Sequence, residues 1–347
     1  MPSKPTSPAL IALGSAALFG LATPFAKLLL GDQAPQLLAG LLYLGSGLAL
    51  GTAAYVRRDT ITSRLRRSDI PTLAGVILLG GIIAPVALLH GLDQAPAATV
   101  SLLLNLEGVL TAALAWTFFH EHASRRTVAG LALIVAGGLA LSWQPGAGLV
   151  PGALWIVLAC ACWAADNNLT QRLSGRDPVH IAGIKGIVAG TVNLTIALAL
   201  GAKLPGPGPA LAAGAVGALG YGLSLVLFVV ALSKLGTART GAYFATAPFV
   251  GAIASFVLLR ETLPQAFVVA AAFMGAGVWL HLTERHGHAH LHEPITHTHP
   301  HRHDDDHHDH PHDPEVTESH THEHAHAASG HVHPHTPDLH HRHDHDN

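Results

Sequence analysis

Ten apolar stretches of about 20 residues follow one another between residues 8 and 282, and each is the length an α-helix needs to cross roughly 30 Å of hydrocarbon. Such a series narrows the choice of fold sharply, because in lipid every backbone polar group must be bonded within its own helix or within a closed barrel. The stretches run 8–30, 35–56, 71–92, 97–119, 126–143, 151–173, 179–201, 208–232, 237–259 and 264–282. Pro35, Pro71, Pro151 and Pro264 open four of them, at the first helical turn where the missing N–H costs nothing. Gly45, Gly47, Gly51 and the pair Gly137 and Gly138 allow close backbone approach between helices in lipid. The expectation is an all-α polytopic membrane protein of ten transmembrane helices with short connections. Residues 1–26 look superficially like a secretory leader, but the apolar run continues past Lys27 to Leu30, which predicts a span rather than a cleaved segment.

Composition divides the chain in two. Residues 1–285 hold 27 charged side chains, whereas residues 286–347 hold 14 together with 23 of the 28 histidines. The basic residues of the body sit between apolar runs and form no single patch, which argues against nucleic acid as a partner. Cys160 and Cys162 are the two cysteines, too few for a disulfide framework or a sulfur-based zinc site. Orientation follows from Lys and Arg: with a cytoplasmic amino terminus, thirteen fall in inward segments, and only Lys203 and Arg260 fall in outward loops. That bias predicts an integral protein of the cytoplasmic (inner) membrane with both termini inside.

Sliding the chain on itself by 140 positions lays Leu92, Ala98, Ala112, Glu121, Val128, Ala132, Ala136 and Gly137 on Leu232, Ala238, Ala252, Glu261, Val268, Ala272, Ala276 and Gly277. The shift pairs the fourth span with the ninth and the fifth with the tenth. Five spans per half is an odd number, so the halves face opposite ways, as in the inverted repeats of many secondary transporters. The expected units are residues 8–143, residues 151–282 and a disordered tail, 286–347.

The run from Ala97 to Gly108, then His120-Glu121-His122, and in the second half Thr237 to Gly241, Ala247-Pro248-Phe249 and Arg260-Glu261 resemble the drug/metabolite transporter superfamily and its EamA-type ten-helix permeases. The resemblance covers about residues 8–282. It implies movement of a small solute by alternating access between two five-helix halves, and no enzymatic activity. Where the family usually has Glu-Pro, this chain has Glu107-Gly108, and the second half keeps Pro248 after Ala247.

An ionised side chain at mid-bilayer costs roughly 2.5 to 3.5 kcal/mol on insertion scales, so it must face a cavity or a partner. Glu107 near the middle of the fourth span, and Asp166 beside Asn167 and Asn168 in the sixth, are the leading cavity residues. Lys27 and Lys185 are candidate cations for a carboxylate or an anionic solute group, although both lie near enough to span ends to reach the headgroups. Asn105 lies about 200° round the helix from Glu107 and is assigned to packing. Trp163, Tyr221, Tyr243 and Phe244 are candidate pocket aromatics. Within residues 1–285 neither a nucleophile elbow nor a His-Glu-x-x-His motif occurs, and no cofactor is expected.

In the tail, histidine recurs at alternate positions: His286, His288, His290, His292; His297, His299, His301, His303; His320, His322, His324, His326; His331, His333, His335; and His341, His343, His345. The intervening residues offer no apolar face, which predicts disorder. Two His-x-His units closing on one ion supply four imidazoles, a set suited to Ni, Zn or Cu. The tail charge also swings from -10 to +13 if all 23 histidines take protons, around a pKa of about 6.5. Together these readings expect a secondary transporter of a metabolite or a divalent transition metal, with a metal-binding tail. The competing class is a membrane-anchored metal buffer or sensor whose bundle is scaffold.

Overall fold

The computed structural model describes residues 7–31, 33–56, 65–119, 125–144, 148–173, 175–235, 237–262, 265–282, 286–292, 295–301, 320–326 and 329–335. Helix 1 spans Pro8–Leu30, helix 2 Pro35–Val56 and helix 3 Arg67–Gln94. Helix 4 is built of Ala97–Leu103 and Asn105–Phe119, helix 5 of Arg125–Ser142, helix 6 of Ala153–Gln171 and helix 7 of Pro178–Ala199. Helix 8 spans Pro207–Leu235, helix 9 consists of Thr237–Phe244 and Ala247–Leu259, and helix 10 spans Gln265–Leu282. Among the described residues, eight helices are long and apolar enough to cross a membrane. Helix 10 has a shorter apolar run, Gln265–Leu280, and helix 6 gives up hydropathy to Asp166, Asn167 and Asn168.

The 140-residue shift reappears as geometry. Helices 5 and 10 begin and end 140 positions apart, at Arg125 and Gln265 and at Ser142 and Leu282. A π-helical stretch interrupts helix 3 at Ile77–Ile83 and helix 8 at Ala218–Leu223. Helix 4 breaks at Leu104, and helix 9 breaks after Phe244. A Cβ on Gly137 would lie 2.9 Å from the Ala270 carbonyl oxygen, and one on Gly277 2.5 Å from that of Gly130, so the same close contact occurs twice between helices 5 and 10.

The repeats interlock rather than stand side by side. Helix 2 packs along helix 7 and helix 5 along helix 10, while helix 1 lies on helices 8 and 9 and helix 6 on helices 3 and 4. Ser15 donates to the Ser224 carbonyl at 2.7 Å and Ser224 returns the bond to the Ser15 carbonyl at 2.9 Å, tying helix 1 to helix 8. The core is dense with leucine, including Leu37, Leu38, Leu42, Leu89, Leu92, Leu102 and Leu103, with Ile156 of helix 6. Leu48, Leu139, Leu154, Leu211 and Val257 are exposed, as lipid-facing side chains are. Since lipid supplies no hydrophobic drive between helices, this packing and the interhelical hydrogen bonds hold the bundle.

Between the repeats, β1 (Trp143–Gln144) pairs with β2 (Gly148–Leu149). The tail forms a second unit, in which four segments are extended. β3 (His286–His292) runs antiparallel to β6 (Ser329–His335), and β4 (Ile295–His301) to β5 (His320–His326). The alternation that denies these segments an apolar face still permits a ladder, because a ladder is built from main-chain bonds alone. His303, His341, His343 and His345 lie outside the described residues.

Candidate functional site

The π stretch of helix 3 organises the site. Its i→i+5 bonding interrupts the regular α ladder, and it presents two adjacent glycine carbonyls to donors from other helices. The Gly80 carbonyl accepts from Tyr43 Oη at 2.7 Å and from Trp163 Nε1 at 3.1 Å. The neighbouring Gly81 carbonyl accepts from Asn193 Nδ2 at 3.2 Å, and Asn193 Oδ1 accepts from Gln36 Nε2 at 2.8 Å. Against this turn lies Asp166, buried and ion-paired with Lys185. Thr170 Oγ1 donates to the other carboxylate oxygen at 3.2 Å. A Cβ on Gly80 would fall on both members of the ion pair, so glycine is what lets helices 3, 6 and 7 converge here.

Helix 4 brings Glu107 to the same region. The break at Leu104 starts a new helix at Asn105, which puts Glu107 in its first turn, where the helix dipole favours an anion. Glu107 Oε1 accepts from Asn167 Nδ2 at 2.9 Å, and the same amide reaches Thr111 Oγ1 at 3.4 Å. Asn168 Nδ2 donates to the Thr111 carbonyl at 3.2 Å and to Ala164 at 2.8 Å. Asn105 turns away, donating to the Leu102 carbonyl at 2.9 Å and lying 3.9 Å from Met274 Sδ, in keeping with its assignment to packing. The cluster therefore has two carboxylates and one lysine, and the lysine is engaged by Asp166.

Not every expected residue gathers here. Lys185 does not reach for the headgroups but pairs with Asp166, since helix 7 lies against the π stretch. Lys27 joins neither carboxylate: it donates to the Leu92 carbonyl, to Ala95 at 3.3 Å and to Asp93 at 3.5 Å, all at the far end of helix 3. Tyr243 accepts through its carbonyl from Thr246 and, among the described residues, has no part in the ring contacts that line the repeat interface. Those run from Tyr43 to Tyr221 at 5.9 Å, from Tyr221 to Phe19 at 6.0 Å and from Phe19 to Phe244 at 5.3 Å.

Several contributors went unread in the sequence: Tyr43, Gly80, Thr111, Asn193 and Gln36. The available signals were a Gly-Gly pair and a buried asparagine inside apolar runs. Elsewhere, Arg176 pairs with Asp69 at 2.7 Å, and that bond raises the guanidinium pKa above its already high ordinary value. Glu261 accepts from the backbone N–H groups of Ala97 at 2.7 Å and Ala98 at 2.9 Å. Among the described residues, no three His, Cys, Asp or Glu side chains converge as a metal site requires.

Comparison with known proteins adds four findings. The sequence profile of the EamA-like transporter family matches residues 6–143 and 150–283. The chain is 28% identical over 281 residues, 76% of its own length and 82% of the relative's, to an uncharacterized transporter of Methanothermobacter thermautotrophicus. It is 29% identical over 225 residues, 62% of its length and 74% of the relative's, to a probable terminal-alkyne amino-acid exporter of Streptantibioticus cattleyicolor. A protein of solved crystal structure superposes with a TM-score of 0.59 at 19% identity, covering 80% of this chain and 96% of that one, a likeness of fold alone.

Proposed function

The chain belongs to the EamA-like transporter family, and from that premise we propose that it moves a small amine-bearing metabolite by alternating access, with Glu107 taking either the ammonium group or a proton. The protein is a transporter embedded in the membrane and not an enzyme. The observation that carries the finer reading is the charge count of the site. Asp166 is satisfied by Lys185, whereas Glu107 is met by a neutral amide. A carboxylate at that depth without a cation is costly, and an incoming ammonium or proton removes the cost. A cation bound in one conformation and released in the other is what coupling requires.

Three considerations support this reading over its neighbours. Glu107, Asn167 and Thr111 provide few oxygen donors for a naked divalent metal. One relative is named as an amino-acid exporter. The Lys and Arg bias favours both termini in the cytoplasm, where an exporter would load. The test is a counterflow screen in proteoliposomes with neutral amino acids, polyamines and nickel, with and without a pH gradient. Transport of an amine that collapses in Glu107→Gln at equal reconstitution is expected. Full transport in that variant would remove Glu107 from the path.

The tail supports a second, separate reading. Its register sets His288 and His290 opposite His333 and His331, and His297 and His299 opposite His324 and His322. Histidine at every second position of these strands supplies many imidazole donors, a donor type suited to Ni, Zn or Cu. This predicts that the full-length protein binds several nickel or zinc ions at pH 7.5 by calorimetry, and that ending the chain at Arg285 loses most of them while transport persists. Loss of all transport in a folded truncation would instead favour the metal-handling role over the accessory one.

A further inference from the structure

Helix 3 ends at Gln94 and helix 4 begins at Ala97, so two helix termini meet across the dipeptide Ala95-Pro96. No local side chain satisfies either terminus: Pro96 stands at the N-cap of helix 4 and makes no capping bond. Both are served from a distance. Glu261, from the connection between helices 9 and 10, spreads its carboxylate over the Ala97 and Ala98 N–H groups. Lys27 of helix 1 takes the carbonyls of Leu92, Asp93 and Ala95. Each charge matches its helix dipole, the anion at an N-terminus and the cation at a C-terminus.

Three further observations make this more than a pair of caps. Arg260 has φ 52°, the one positive φ at a non-glycine position among the described residues. The chain accepts a left-handed arginine, a strain of roughly 1 to 2 kcal/mol, directly before Glu261. Helix 1 packs on the second piece of helix 9, so the two charges sit on one framework and the helix 3–helix 4 hairpin is gripped by both. A recess of about 410 Å³, lined by Lys27, Asp93, Gln94, Pro96, Glu261 and Thr262, lets water solvate every partner on release.

Deeper in, Ser101 is 1% exposed and its hydroxyl has no partner among the described residues. It borders a void of about 10 Å³ shared with Gly20, Thr23, Leu104, Ala247 and Pro248, close to the space of a single water. The sequence of positions along helix 4 is then continuous: latch at Ala97 and Ala98, orphan hydroxyl at Ser101, break at Leu104, carboxylate at Glu107.

We propose that Glu261 and Lys27 form a releasable polar latch which holds the Gly31 end of the transporter closed, and whose opening parts helices 1 and 9 from the helix 3–helix 4 hairpin and wets the Ser101 void. A charge-to-backbone contact beside water is suited to this role, because solvation replaces most of what breaking it loses. An apolar seal would have no such compensation.

The experiment uses the full chain in lipid nanodiscs with Cys160 and Cys162 replaced by alanine and a reporter cysteine at Thr23→Cys, or at Ser101→Cys if the first does not fold. Labelling by a bulky charged maleimide should speed up about tenfold in Glu261→Gln and Glu261→Ala, and several-fold in Lys27→Met. Joining Pro96→Cys to Thr262→Cys with a short cleavable cross-linker should slow labelling of the reporter, and cleavage should restore it. Unchanged labelling at both reporters in Glu261→Ala overturns the proposal. So does faster labelling confined to a cysteine at Ala97, which would mean fraying of one helix end without separation. No solute enters the assay, so its failure is distinct from failure of the role given to Glu107.

Discussion

Asn167 of the second repeat donates its side-chain amide to Glu107 of the first at 2.9 Å, so a carboxylate that makes no ion pair among the described residues is positioned from across the repeat interface. Asn167→Ala should therefore act through Glu107. If Glu107 is ionised in part of the cycle, losing a hydrogen bond to a charged group is worth about 1.5 to 3 kcal/mol, or a fall in transport of roughly ten- to a hundredfold. In a Glu107→Gln background the same change should cost little more. Independent, additive losses in that double-mutant cycle would separate the two residues.

The ion pair of Asp166 and Lys185 should be harder to break singly than to remove together. Asp166→Asn leaves a lysine charge in a buried setting, a loss of about 3 to 5 kcal/mol, seen as a large drop in melting temperature in detergent. Asp166→Asn combined with Lys185→Met should recover most of it. A double variant no more stable than the single one would show that the pair's other contacts, such as Thr170 on Asp166, dominate.

Two glycines make a matched test of crowding. Gly80→Ala drives a methyl into the Asp166 and Lys185 side chains, whereas a Cβ at Gly108 meets nothing within 4 Å. Gly80→Ala should destabilise by about 1 to 3 kcal/mol. Gly108→Ala should be neutral or gain up to about 1 kcal/mol from helix propensity. Equal melting temperatures for the two variants would contradict the packing at the π stretch.

Away from the membrane core, Arg176 and Asp69 keep 19% and 14% of their side chains exposed. Asp69→Asn should lower stability only slightly, and 0.5 M salt should erase most of that difference. A large, salt-insensitive loss would mark the pair as a closure element rather than a surface tie.

The spans were legible because bilayer thickness imposes a length on any apolar run: 8–30 and 35–56 coincide with helices 1 and 2. The repeat was legible too, through Gly137 and Gly277, whose contacts turn out to be copies of each other. What escaped notice depends on partners distant in sequence. The π stretch at Gly80 is met by Tyr43 and Trp163 from two other helices, and no local pattern announces that. Lys185 read as a residue able to reach the headgroups because its depth was visible and its neighbour Asp166 was not. Glu261 read only as a repeat marker, since a cap supplied from 164 residues away leaves no local signature.

The interlocking of the two repeats bears on how the protein is made. Helix 1 leaves the ribosome early, yet the helices it packs against, 8 and 9, are translated only after about 200 residues have been added. Until then Ser15 waits in the bilayer without the Ser224 backbone that will receive its hydroxyl. The nascent chain is thus held in an unfinished state for most of its synthesis, and its first helix is secured by helices translated well past its midpoint. A lesion near the carboxyl end of the bundle should register in the cell as early loss of the whole polypeptide, because membrane quality control meets an amino-terminal helix with no place to dock.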